Sequence, residues 1–292
     1  MTTRPSEGRR VWVDGLQIEI DALDSLGLGQ GLDFEPEIKA AVQRLVREGD
    51  TAVDIGANIG YFSALLARAV GPAGVVHAIE PEPGNHALLA HNMHLNGFRH
   101  VRLHALALGA QEGVAELHTS VSNNGMHRLY NSVCCSGPAV QVPVQRLDDL
   151  LADLPAVDFI KIDIEGYELQ ALQGAQALLR RSQNVKVVSE YCPSAMLEAG
   201  AEPSALWASL GGLGLVAHDL AGVPVDMEQV LDDARRCEAF GRKRFVAACA
   251  GQDNDQIMAT VFELTRQLGC RRPVIENLLF MRVGSDRLVL RS

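Results

Sequence analysis

The stretch that most restricts what this chain can fold into is Thr51-Ala52-Val53-Asp54-Ile55-Gly56-Ala57-Asn58-Ile59-Gly60. Its first half is a short apolar run with a single acid, which reads as a buried strand. Tyr61–Val70 follows at helical length. Between them lies a turn with two glycines, which lets a ligand sit against the backbone and the helix N-terminus. The turn is not a dinucleotide fingerprint, because Ala57 and Asn58 stand where further glycines would be needed.

The chain repeats this strand-then-helix rhythm. Strands are expected at Val75–Ile79, Val101–Leu106, Val157–Asp163, Val185–Tyr191 and Leu215–His218. Helices are expected at Gly84–Asn96, from Tyr167 through Leu179, and at Pro203–Leu213. Two more strands, Gly113–His118 and Val140–Arg146, flank a polar loop at Thr119–Gly137. Alternation of this kind predicts an α/β fold, a doubly wound Rossmann-like sheet with helices on both faces. Ahead of it, residues 1–50 form an N-terminal unit: a ten-residue disordered tail, a hairpin turning at Asp14-Gly15, a Gly-rich loop, and a helix over Glu35–Glu48. Residues 51–292 form the main domain. Gly222–Glu276 interrupts it as a helical insertion, with candidate helices at Asp226–Arg236 and Asp253–Leu268. A final strand is expected at Asn277–Val283, with Arg287–Leu290 extending or pairing with it.

Composition removes several classes of function. The net charge of −10 opposes a phosphate backbone, so nucleic acid is not expected as a partner. The short Arg and Lys clusters read as solvated surface. No apolar run reaches a membrane span, and the polar N-terminus carries no signal-peptide pattern. The six cysteines have no CxxC spacing and read as reduced thiols of a cytoplasmic protein.

Glu80 ends the second strand of the main domain, about two dozen residues after Gly56. That is the spacing of a carboxylate that accepts both ribose hydroxyls in nucleotide-binding folds. A glycine turn without the third glycine, followed by this acid, fits a nucleoside ligand lacking a pyrophosphate. S-adenosylmethionine is such a ligand; a nicotinamide dehydrogenase is opposed by the missing glycine.

Four segments carry a resemblance to the FkbM family of class I methyltransferases. They are Val53–Ser63, Ile79-Glu80-Pro81-Glu82-Pro83, Ala105-Leu106-Ala107-Leu108-Gly109 and Ile160-Lys161-Ile162-Asp163-Ile164-Glu165-Gly166-Tyr167-Glu168, in the family's order and spacing. The resemblance spans Phe34 to Glu190, together with the last strand. It implies seven strands with the last antiparallel, and S-adenosylmethionine as cofactor. It implies that Gly56, Asn58 and Gly60 shape the methionine side of the pocket, that Asp54 meets the cofactor's amino group directly or through water, and that Glu80 holds the ribose. Ala105 and Leu106 would lie near the adenine, and Tyr61 and Pro81, inside the same motifs, join the cofactor-binding set. The acceptor it implies is a hydroxyl of a sugar or other small natural product. Two departures bear on that acceptor: the Asn123-Asn124-Gly125-Met126-His127 loop lacks the expected serines, and the insertion matches nothing in the family.

An alcohol nucleophile benefits from a base within reach. Asp163, Glu165 and Glu190 stand at carboxyl ends of strands, where ligands bind in open α/β sheets, and His127 lies in the polar loop. These four are the catalytic candidates. Asp163 could instead hold loop amides, and Glu165 could cap the following helix. His91 and His94 have no third partner at ligand spacing, and no metal is expected. N-methylation of an amine or peptide is the competing chemistry, opposed by Asp163-Ile164-Glu165-Gly166 standing where such enzymes carry Asp/Asn-Pro-Pro-aromatic. A non-catalytic cofactor-binding subunit is a third reading. The insertion is expected in acceptor recognition or in a homodimer.

Overall fold

A computed structural model describes residues 9–249, 254–270 and 276–282. The chain opens with a hairpin of β1 (Arg10–Val13) and β2 (Leu16–Glu19), turning at Asp14-Gly15, both in left-handed conformation. Arg10, expected in a disordered tail, pairs with Glu19 across this hairpin. The loop that follows leads into α1 (Pro36–Leu45).

The main domain then runs β3 (Thr51–Ile55), α2 (Tyr61–Val70), β4 (Val75–Ile79), α3 (Pro83–Leu95) and β5 (Val101–His104). Next come β6 (Ala107–Leu108), β7 (Gly113–His118), β8 (Ala139–Gln145), α4 (Leu147–Leu150) and β9 (Phe159–Ile162). The chain continues through α5 (Glu168–Gln173), α6 (Gln176–Arg181), β10 (Lys186–Tyr191), α7 (Pro193–Glu198), α8 (Pro203–Gly211) and β11 (Leu215–His218). It closes with α9 (Met227–Phe240), α10 (Arg242–Cys249), α11 (Asn254–Gln267) and β12 (Glu276–Arg282). The strand expected at Arg287–Leu290 lies outside the described residues.

Seven strands form one sheet in the order β11-β12-β10-β9-β3-β4-β5. β12 runs antiparallel to both its neighbours, and the remaining pairs are parallel. The expected seven-stranded Rossmann-like sheet with its last strand antiparallel is therefore present. Strand order reverses beside β3, which places a crevice at the carboxyl ends of β3, β4, β9 and β10.

Alternation along each strand divides the core in two. Val53, Ile55, Ile160 and Ile162 pack on one face with α5, α6 and α8. Ala52, Val76, Ala78 and Phe159 pack on the other with α1, α2 and α3. The N-terminal unit joins this second cluster through Leu16, Ile18, Ile38 and Val42.

Three expectations change. The strand expected over Val101–Leu106 ends at His104, and Ala107–Leu108 crosses into a separate three-stranded sheet, β6-β8-β7. The helix expected through Leu179 breaks at Gly174, where a Cβ would lie 2.1 Å from the carbonyl oxygen of Gly109. Asp148 stabilises that break, its carboxylate accepting from the N–H groups of Ala177 and Leu178. Inside the insertion a further helix, α10, stands between the two expected. The apolar face of α11 buries against its own chain: Val261 packs with Cys134 and Cys249, and Leu264 and Leu268 with Leu197 and Cys237. Among the described residues no helix is long and apolar enough to cross a membrane.

One buried amide ties the N-terminal hairpin to the glycine turn. Asn92 on α3 donates from Nδ2 to the carbonyl oxygens of Glu19 and Ile59, and its Oδ1 accepts from the Glu19 N–H at 2.7 Å. Asn92→Leu fills the space but leaves buried backbone groups without partners. It is expected to cost about 3 kcal/mol, read from the urea midpoint at unchanged slope.

Candidate active site

The crevice is shaped by how closely β3 and β9 end together. Gly56 sits at φ +82°, and a Cβ there would lie 1.9 Å from the carbonyl oxygen of Asp163. The N–H groups of Gly56 and Ala57 both donate to the Ile79 carbonyl at 3.0 Å, joining the turn to β4. Asn58, also left-handed, closes the turn: its Oδ1 accepts from the Ile59 N–H, and its Nδ2 donates to the carbonyl of Asn124 at 3.3 Å.

Two cavities open from this turn. The first, an open cleft of about 580 Å³, lies between Ile79, Pro81, Leu106, Leu108, Leu117 and Leu129, with Glu80, Asn85, Asn124 and His127 among its polar members. Glu80 is held by two backbone donors, Asn58 N–H to Oε2 at 2.8 Å and Glu82 N–H to Oε1 at 2.9 Å. Burial nonetheless pushes its pKa up to about 7. An ionised carboxylate has about four acceptor positions, so two remain for a ligand. Asn85 donates to the Asn124 carbonyl at 2.9 Å, while its buried Oδ1 has no partner among the described residues. His127 accepts the Ser120 N–H at Nδ1, and burial lowers its pKa. A neutral imidazole with Nδ1 accepting carries its proton on Nε2. His127 therefore has no ring lone pair available to act as a base.

The second cavity, about 730 Å³, is lined by Ser25, Leu26, Phe34 and Glu35 from the N-terminal segment, by Tyr61, Phe62, Asn123 and Met126, and by Lys161, Asp163, Glu165 and Glu190. Gly56, Asn58, Gly125, Asp163 and Glu165 line both cavities. Asp163 Oδ2 accepts from Lys161 Nζ at 3.0 Å, and that ammonium lies 5.0 Å from the centre of the Phe62 ring. Burial pulls the Lys161 pKa down, but Asp163, Asp54 and Glu35 outweigh it and hold the ammonium charged. Glu190 is pushed well above the usual carboxylate range by burial and then by Glu165 and Asp163. Its Oε2 is buried with no partner among the described residues. Glu35 is raised to about 7 by burial and by Asp163.

Asp163, Glu165 and Glu190 thus converge, while His127 faces the first cavity only. Glu165 does not cap a helix. Its left-handed backbone (φ 58°) directs the side chain to Arg128, which donates to Oε2 at 2.8 Å. Glu168 holds the loop amides instead, accepting from Ile164 and Gly166 N–H. Of the cofactor candidates, Gly56, Asn58, Glu80, Pro81 and Leu106 line the first cavity, and Tyr61 lines the second. Asp54 is set behind the turn, where its carboxylate accepts from Ser63 Oγ at 2.6 Å and lines neither cavity. Gly60 packs against Leu89 of α3, and Ala105 is exposed to solvent. His91 Nε2 lies 3.0 Å from a carboxylate oxygen of Glu19. Among the described residues no three His, Cys, Asp or Glu side chains are arranged around a metal position.

Four polar residues had no role in the sequence reading: Glu35, Asn85, Arg128 and Lys161. Only Lys161 had a signal, as a cation inside an otherwise apolar strand. Arg128 is the most connected, also donating to Glu198 Oε2 at 3.0 Å and to Ser132 Oγ.

The comparisons with known proteins fall on this part of the chain. Residues 54–214 match the Methyltransferase FkbM domain. A protein described as methyltransferase 1 from Beauveria bassiana is 31% identical over 142 residues, which cover 42% of this chain and 57% of that protein. The 31-O-demethyl-FK506 methyltransferase FkbM of Streptomyces tacrolimicus is 28% identical over 164 residues, 45% of this chain and 61% of that protein. Among solved structures, an S-adenosylmethionine-dependent O-methyltransferase from Thermotoga maritima aligns at 16% identity over 73% of this chain and 65% of its own, with a TM-score of 0.42. The chain spans less than two thirds of the length of the curated relatives it matches.

Arg128 bridges the buried Glu198 and the half-buried Glu165, so Arg128→Met strands both without a counter-charge. It is expected to cost about 3–5 kcal/mol at neutral pH. The loss should shrink toward pH 5, because a carboxylate left unpaired by burial binds its proton more tightly in the folded state, and stability returns as pH falls. Urea unfolding at the two pH values measures both effects.

Proposed function

The chain belongs to the FkbM methyltransferase family, and from that premise we propose that it O-methylates a hydroxyl group of a sugar or other small natural product. S-adenosylmethionine is assigned to the first cavity and the acceptor to the second. The observation that carries this reading is the position of Asp163, which lines both cavities.

The residues of the first cavity fit this cofactor. The apolar slot of Ile79, Pro81, Leu106 and Leu108 suits a purine, and the unpartnered Oδ1 of Asn85 suits an amino group on its edge. The unused acceptor positions of Glu80 suit two adjacent ribose hydroxyls. The missing Cβ of Gly56 lets the end of β9 close on the turn, which brings Asp163 to the crevice. When bound, the cofactor supplies a methyl group on a positively charged sulfur, already activated for displacement. What remains for the chain is alignment of the acceptor and removal of one proton.

Lys161 fixes one oxygen of Asp163, and Oδ1 is not engaged in a hydrogen bond among the described residues. In this reading Oδ1 accepts the hydrogen bond of the acceptor hydroxyl and takes its proton as the oxygen attacks. Glu165, tied to Arg128, forms the far side of the passage between the cavities. Glu190 binds the acceptor from the end of β10. The name of the Streptomyces relative specifies an oxygen acceptor, which supports the choice of oxygen over nitrogen. The insertion acts indirectly here. Cys249 and Val261 pack against Met126 and Val133, and Met126 lines the acceptor cavity, so α10 and α11 brace that wall. A homodimer is part of the same reading, and sedimentation of the full chain is the measurement that detects it.

Calorimetry is expected to show adenosylhomocysteine binding and no NAD binding, with Glu80→Ala weakening adenosylhomocysteine by about 1–3 kcal/mol. NAD binding, or an unchanged affinity in Glu80→Ala, would overturn the cofactor assignment. With an acceptor found by screening hydroxylated sugars and aglycones, Asp163→Asn should lower kcat far more than it weakens adenosylhomocysteine binding. Equal losses would make Asp163 a structural residue.

A further inference from the structure

Acidic groups outnumber cationic ones around the second cavity. Four carboxyl groups line it, from Glu35, Asp163, Glu165 and Glu190, against the single ammonium of Lys161. Two of the four already have cationic partners: Asp163 has Lys161, and Glu165 has Arg128. Glu35 and Glu190 feel Lys161 and Arg128 only from beyond ion-pair distance, and each has an Oε2 buried without a hydrogen-bond partner among the described residues. Asn277 Nδ2, at 3.4 Å, is the amide donor Glu35 meets through its other oxygen.

These two acids come from different elements, the turn before α1 and the end of β10. Both line the second cavity and neither lines the first. With the cofactor assigned to the first cavity, its positive sulfur would not account for them. Glu35 is moreover held at φ 44°, a left-handed conformation that a side-chain-bearing residue takes at a cost. Leaving a carboxyl group buried without a partner is expensive, and a charged hydrogen bond from a ligand recovers part of that cost.

We propose that the acceptor carries a protonated amine near the hydroxyl to be methylated, and that Glu35 and Glu190 are the residues that select it. This rests on the assignment of the second cavity to the acceptor. It fits oxygen rather than nitrogen methylation. An amine held between carboxylates stays protonated and has no lone pair to attack with, so the neighbouring hydroxyl is the nucleophile. Glu35 also stands outside residues 54–214, so selection by this residue is a property of the N-terminal segment rather than of the matched domain.

The test uses matched pairs of probes, 2-amino-2-deoxy sugars against their parent sugars in the gluco, galacto and manno series. Each is titrated into the full chain with and without adenosylhomocysteine, so the result does not depend on cofactor binding. At least one amino sugar should bind about tenfold tighter than its parent. That preference should fall below about threefold in both Glu35→Gln and Glu190→Gln. Thermal unfolding identifies a variant that has lost its fold, in which case the other variant decides. Parent sugars binding as well as every amino sugar, no binding by any amino sugar, or a preference that survives in a folded variant would each overturn the proposal. Lack of adenosylhomocysteine binding alongside an intact amine preference would instead overturn the cofactor assignment and leave amine selection standing.

Discussion

The architecture depends on one close approach, that of the glycine turn after β3 to the end of β9. Gly56 lies against the carbonyl of Asp163 at a distance that admits no side chain. Its N–H and that of Ala57 both reach back to Ile79 on β4. Three adjacent strand ends are thereby joined within a few ångströms. The ligand crevice is the gap left above them, and Asp163, just after β9 at the point of closest approach, lines both cavities.

Around that seam the chain buries an unusual amount of acid. Glu80, Glu168 and Glu35 are each raised to about 7, chiefly by burial. Their hydrogen-bond supply differs. Glu168 spends its Oε1 on the backbone of the loop it shapes, and Glu80 accepts two amides and keeps capacity for a ligand. Glu35 and Glu190 receive least from the chain itself. A group whose folded pKa lies above its unfolded value stabilises the fold at low pH and less as pH rises through the folded value. For these acids the window runs from about pH 4.5 to about 7. An acid placed where it weakens the unliganded protein at neutral pH is a common mark of a working site.

The two segments outside the matched domain meet the site by different routes. The N-terminal loop contributes side chains directly, through Ser25, Leu26, Phe34 and Glu35, and is tied down by Asn92 and by Tyr61, whose hydroxyl donates to Asp14. Among its described residues the insertion contributes none; it packs behind the 126–135 loop through Val261 and Cys249. Arg128 completes the bracing, joining that loop to Glu165 on the cavity wall and to Glu198 on α7.

Much of the fold was legible in the residues alone. β3, α2, β4, β7 and β11 begin and end where their apolar runs do, because a short buried run and a long amphipathic one are local signals. The glycine turn and Glu80 were legible for a similar reason: spacing along a strand-turn-helix unit fixes which groups face the crevice. Boundaries set by distant partners were not. The end of β5 depends on β8, and the break between α5 and α6 depends on the carbonyl of Gly109 far along the chain. The same limit applies to the site. Sequence determined the α/β class, the nucleoside-type turn and the acids at the strand ends. Only the tertiary structure decided that Asp54 turns away from the cavities, that His127 has spent its lone pair on Ser120, and that Glu35 and Glu190 line the same cavity. Partner identity is the reason: a carboxylate's role is set by what lies within about 3 Å of it, and in this fold those neighbours come from elements far apart in the chain.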